Sequence, residues 1–70
     1  MSDGYAIQLH SKWDGRVIWL GVMHPTHDAA KAYAEKNVCL RCNRVEIHPL
    51  PAEWVWIGKD RGFAPSRDAA

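Results

Sequence analysis

Four of the seventy residues are tryptophan, Trp13, Trp19, Trp54 and Trp56, and they flank one short stretch of helical periodicity. A chain of this size closes only a thin core, so rings of that area decide what can be covered, and any ring left outside is a contact for a partner. One domain over residues 1–70 is expected, with no room for two lobes and a cleft. Hydrophobic residues make up 47% and charged residues 24%, a balance that belongs to folded rather than disordered chains. Nine Lys and Arg against eight Asp and Glu leave a net charge of +1, which excludes a uniformly basic nucleic-acid coat and leaves only local patches. No run approaches the ~20 apolar residues of a membrane span. Met1, Ser2, Asp3 and Gly4 lead into folded-looking sequence rather than a targeting peptide, so a cytoplasmic protein is expected.

Tyr5, Ile7 and Leu9 alternate with Ala6, Gln8 and His10, as in a strand with one buried face. Asp14-Gly15 then precedes the β-branched and aromatic run from Val17 to Met23, so the first two strands form an antiparallel hairpin. Ile18, Leu20 and Val22 alternate with Val17, Trp19 and Met23, which makes this second strand apolar on both faces. One of those faces must meet something other than the domain's own helix. Thr26 is placed to cap a helix from His27 to Asn37, with Asp28 in its first turn. Ala30, Tyr33, Ala34 and Val38 form a narrow stripe that lets this helix lie close on a sheet, and Lys31, Glu35 and Lys36 fall on its solvent side.

Alternation resumes over Arg44 to His48 with Val45 and Ile47 inward, a third strand. Pro49-Leu50-Pro51 reads as an extended link, because proline donates no ladder hydrogen bond, and Glu53 to Ile57 reads as a fourth strand. Lys59 to Gly62 is a turn, and residues 63–70 are a fraying tail in which Phe63 is the apolar residue available to tuck back. The expected fold is α+β: a small ββαββ domain with one helix packed on a mostly antiparallel four-stranded sheet.

His24-x-x-His27 upstream of Cys39-x-x-Cys42 offers zinc-type ligands, but eleven residues separate His27 from Cys39. If helical, they hold the two pairs on the order of 16 Å apart, too far for one ion. No metal and no cofactor are expected. A redox C-x-x-C places its first cysteine at a helix N-terminus, whereas both of these follow the helix. Reduced thiols are expected, with Cys39 packed as a small apolar residue and Cys42 in the loop. Histidines 10, 24, 27 and 48 have no nucleophile or carboxylate beside them at catalytic spacing, and no phosphate-binding glycine motif is present. No catalytic residue is assigned, and the protein is not expected to be an enzyme.

What remains is binding chemistry. Lys31 and Lys36 on the helix, Arg41 and Arg44 after it, and Lys59 and Arg61 in the last turn would form one patch in a fold that brings that turn beside the helix. As single residues each also fits a solvated charge partnered by Asp28, Glu35, Glu46 or Asp60. Trp54 and Trp56 share a strand face by alternation, either as core or as an exposed aromatic platform, with Val55 and Ile57 available for the opposite face.

Tyr5 and Ile7, Ala30-Lys31, Ala34, Lys36, Cys39 and Ile47, then Trp54 and Asp60, resemble the pattern of a family of very small phage-encoded anti-CRISPR proteins that inhibit type I surveillance complexes. The resemblance spans most of the chain. It implies a non-catalytic protein, acting in the bacterial host cell, that binds the guide-carrying backbone subunits of a CRISPR effector complex with its guide RNA. Target DNA is then obstructed where it would pair with the guide. Lys31 and Lys36 match helix lysines that face the complex or nearby DNA in that family, and Lys59 lies near a family lysine. Arg41, Cys42, the Pro49 to Pro51 link and the tail after Gly62 depart from the pattern. Trp13, Trp56 or Arg41 would serve as central anchors of such an interface. Two other functions fit the residues alone. One is a single-stranded nucleic-acid binder that stacks bases on Trp54 and Trp56; the other is a structural homodimer joined through the second strand.

Overall fold

β1 (Asp3–Ser11) carries apolar residues at every second position and lies between two antiparallel neighbours, β2 (Val17–His24) and β3 (Asn43–Pro51). The structure is a computed structural model describing residues 3–65. β1 and β3 pair without a slip from Asp3 opposite Pro51 to Ser11 opposite Asn43. Between β1 and β2 the register shifts: Ala6 faces Met23 but Gln8 faces Trp19, so two steps on β1 span four on β2. The surplus falls around Gly21 and bends β2 locally.

Alternation puts Tyr5, Ile7 and Leu9 on one face with Ile18, Val45 and Ile47, and α1 (His27–Asn37) lies across it. Thr26 caps this helix by accepting from the Ala29 amide at 3.0 Å, and Val38 N–H donates to the Ala34 carbonyl at its other end. Asp28 in the first turn and Lys36 in the last complement the helix dipole. Ala30 and Ala34 are buried against Ile7 and Leu9, so the helix approaches closely because its inner face is two methyl groups wide.

The expected four-stranded sheet is not what forms. Three strands make one sheet in the order β2-β1-β3, while β4 (Val55–Gly58) and β5 (Gly62–Ala64) pair as a separate two-stranded sheet. The cause lies in Pro49 and Pro51, which are not a link but the end of β3, on the sheet's edge. Two residues apart, they turn their missing donors the same way, toward the open side, where a further strand would need those N–H groups. The chain instead reverses, with Trp54 N–H donating to the Pro51 carbonyl at 3.1 Å, and β4 and β5 cross to β2. Phe63 and Ala64, read from sequence as tail, belong to β5, and residues 66–70 lie outside the described residues.

The hairpin of β4 and β5 takes up much of the second apolar face of β2. A Cβ on Gly21 would stand 3.2 Å from the Trp56 ring, and one on Gly62 only 2.6 Å from the Trp19 ring. Each tryptophan therefore lies directly on glycine backbone. Trp56 also meets Phe63 edge to face at 5.4 Å, and Trp19 N–H donates to the Lys59 carbonyl at 2.7 Å across the free edge of β2.

Gly62 combines this contact with φ of 82°, a conformation costly for any residue with a Cβ. Gly62→Ala is expected to destabilise the fold by about 1–3 kcal/mol. Thermal unfolding should show a lowered Tm with loss of near-UV tryptophan signal; an unchanged Tm would contradict the packing. Thr26→Ala should cost about 1 kcal/mol through the lost cap, and Thr26→Ser should restore most of it in the same assay.

Candidate interaction surface

β1 ends, β2 and β3 begin and α1 finishes at the same end of the sheet, and most of the cations singled out in the sequence converge there. The β1–β2 turn is the centre of that end. Ser11 Oγ accepts from the amides of Trp13 (3.2 Å) and Asp14 (3.5 Å), and Asp14 Oδ1 accepts from the Arg16 amide at 3.0 Å. Gly15, at φ of 74°, supplies the left-handed residue that the reversal needs. The Arg16 N–H, the Ser11 hydroxyl and the Arg16 guanidinium 3.4 Å away hold the Asp14 carboxyl below its ordinary pKa. So braced, the turn presents Trp13 with 81% of its surface exposed.

The loop after the helix is tied to this turn. Lys12 N–H donates to the Cys42 carbonyl at 2.8 Å and Lys12 Nζ to the Leu40 carbonyl at 3.3 Å, which carries Arg41 to the same end. Lys31 and Leu40 line one groove of about 340 Å³ between α1 and β3, floored by Ala34, Val45 and Ile47. Lys36 lies one turn further along the helix, toward the loop. Lys59 reaches this end from the other side, sharing a groove of about 250 Å³ with Asp14, Arg16 and Asn43. Among the described residues α1 does not approach β4 or β5, so the last turn and the helix are joined through the β1–β2 turn rather than by direct contact.

Lys31, Lys36, Arg41, Lys59 and Arg61 are all exposed, and among the described residues none of them is in an ion pair. Asp28, Glu35 and Asp60 do not hold them. Arg44 differs, being bound to Glu46 at 2.9 Å. Lys12 and Arg16 were not singled out by sequence; the one available signal was their place beside Trp13 in the Asp14-Gly15 turn.

Trp54 and Trp56 do not stand as a pair. Trp54 precedes β4 and is half-buried, while Trp56, 42% exposed, leans on Phe63 and Gly21. Val55 and Ile57, available for an inner face, are instead exposed.

On the sheet face opposite the helix the structure assembles a polar cluster that sequence alternation contained but did not register. Gln8 Oε1 lies 3.1 Å from His10 Nε2 and 3.0 Å from His48 Nε2, and Glu46 Oε1 is 3.3 Å from both nitrogens. Trp19 packs on the His48 ring at 5.2 Å. His24 packs on Tyr33 and His27 on Tyr5, at the helix end away from the cysteines. Among the described residues no group of three or more His, Cys, Asp or Glu is placed to hold a metal ion. Cys39 is not packed as an apolar residue: it is exposed, and its sulfur lies 3.0 Å from that of Cys42. Among the described residues no helix is long and apolar enough to cross a membrane.

The lowered folded-state pKa of Asp14 means that the turn's added stability is present above the ordinary aspartate range and is lost as pH falls through the lowered value. In an NMR titration the Arg16 amide resonance should move with a midpoint below that of a free aspartate, and Asp14→Asn should abolish the movement. A midpoint at the ordinary value would contradict the bracing.

Comparison of the chain with protein-family models, with curated proteins and with solved structures gives no match.

Proposed function

We propose that this protein is a non-catalytic inhibitor of the anti-CRISPR kind. It binds the guide-carrying backbone subunits of a type I CRISPR surveillance complex and blocks target DNA from pairing with the guide. The observation that carries this reading is the exposed Trp13 on its braced turn, with Lys12, Arg16, Arg41 and Lys59 around it, Lys36 in the adjoining last turn of the helix and Lys31 midway along it. An aromatic anchor rimmed by cations, of which among the described residues only Arg16 is held in an ion pair, suits a nucleoprotein surface, where phosphate supplies the complementary charge and protein pockets accept a ring. Steric exclusion then needs affinity and no chemistry, and a standard interface takes only ~800 Å² from each partner.

The test is affinity for a purified type I surveillance complex, with target-DNA binding as the second readout. Trp13→Ala should weaken binding by at least ~2 kcal/mol, roughly thirtyfold, while leaving Tm unchanged because the ring packs on little of the fold. Reversing Lys31 and Lys36 together to Glu should also weaken binding, mainly through the association rate, and restore target-DNA binding. Unchanged affinity in both variants would overturn the assignment of this surface. Free single-stranded oligonucleotide should bind weakly or not at all. Tight binding that collapses with salt and quenches tryptophan fluorescence would instead make the chain a direct nucleic-acid binder using the same ring and cations.

A further inference from the structure

We propose that Cys39 and Cys42 form a thiol–disulfide exchange site that reacts with small-molecule disulfides and closes to an intramolecular disulfide. The two sulfurs are 3.0 Å apart in the loop between α1 and β3. That proximity is built into the backbone. The amides of Cys42 (3.1 Å) and Asn43 (3.0 Å) both donate to the Cys39 carbonyl, and the Asn43 side-chain amide adds a third bond at 3.2 Å. The loop is anchored from outside by the two bonds from Lys12. The thiols are therefore held together before any reaction, and closing a bond between them requires only a small movement of two side chains.

The two cysteines differ in a way that assigns their roles. Cys39 is exposed and Cys42 half-buried. The Cys42 thiol and the Cys42 N–H, with smaller help from the Arg41 N–H and the Lys12 ammonium, stabilise the Cys39 thiolate and hold its pKa below the ordinary thiol value. The helix N-terminus that usually lowers a C-x-x-C thiol is absent, and hydrogen-bond donors of the loop itself take its place. Cys39 is thus the attacking sulfur and Cys42 the resolving one.

With a disulfide of the glutathione type as oxidant, Cys39 thiolate attacks one of its sulfurs, forming a mixed disulfide and expelling one thiolate that takes up the Cys39 proton. Cys42, losing its own proton, then attacks Cys39 sulfur. The Cys39–Cys42 bond forms and the second small thiol leaves with that proton. The chain is oxidised by two electrons and one disulfide is reduced to two thiols.

The experiment is equilibration of the full chain in oxidised and reduced glutathione mixtures, acid quenching, and intact mass measurement with alkylation of remaining thiols. The wild-type chain should convert to a monomer lacking two hydrogens, and reduced glutathione should reverse this. Cys42→Ser should stop at one glutathione adduct on Cys39, whereas Cys39→Ser should acquire its adduct several-fold more slowly. Persistence of two free thiols under oxidising mixtures, a stable glutathione adduct on the wild-type chain, or disulfide-linked dimers as the main product would each overturn the proposal. Equal rates in the two variants would overturn the assignment of Cys39 as the attacking residue.

Discussion

Tryptophan rings lying on glycine backbone hold the two sheets together: Trp19 on Gly62 and Trp56 on Gly21. Without those contacts β2 would present apolar side chains to water on the face away from the helix, and the small hairpin of β4 and β5 would have nothing to pack on. A two-stranded hairpin is marginal alone. Here a wide ring against a residue with no side chain gives close approach over a large area, which a short strand with few other contacts requires. The same docking brings the Lys59 carbonyl to the free edge of β2 and so sets the last turn beside the turn that carries Trp13.

That placement gives the interaction surface its character. Four segments that are distant in sequence, the end of the helix, the Cys39 to Cys42 loop, the β1–β2 turn and the last turn, meet at one end of the molecule through backbone hydrogen bonds and shared grooves. Each supplies a cation, and the most exposed tryptophan stands among them. Because Ser11, Asp14 and Gly15 brace the turn, Trp13 stands on ordered backbone, and a partner docking on the ring would cost little ordering entropy.

Local patterns in the sequence were sufficient for most of the architecture. The helix bounds, the Thr26 cap and the first hairpin follow from capping chemistry, period and a turn pair, all of which act between near neighbours. What failed was long-range. Pro49 and Pro51 signalled that no further strand could be added at that edge, yet the same prolines were compatible with a link, and only pairing with β1 decides between the two. β5 is three residues long and packs because Trp19 of β2 lies on Gly62, a contact between residues too distant for any local window of sequence to contain. At the surface, Lys31, Lys36, Arg41, Lys59 and Trp13 were legible as charged or aromatic residues without a place in the core, and all five are exposed. Lys12 and Arg16 were not legible in this way, since their place in the cluster comes from what the loop and the last turn bring beside them. Cys39 was expected to pack as a small apolar residue and is exposed instead, because the loop from Cys39 to Asn43 closes on its own backbone hydrogen bonds beyond the buried stripe of the helix.

The central claim is that the end of the molecule around Trp13 is the face that meets a type I surveillance complex. Amine-reactive footprinting of the bound and free protein, read by mass spectrometry at every lysine, tests it most directly. The account predicts that Lys12, Lys31, Lys36 and Lys59 are shielded together in the complex. Equal labelling of all four in the bound and free states would contradict it.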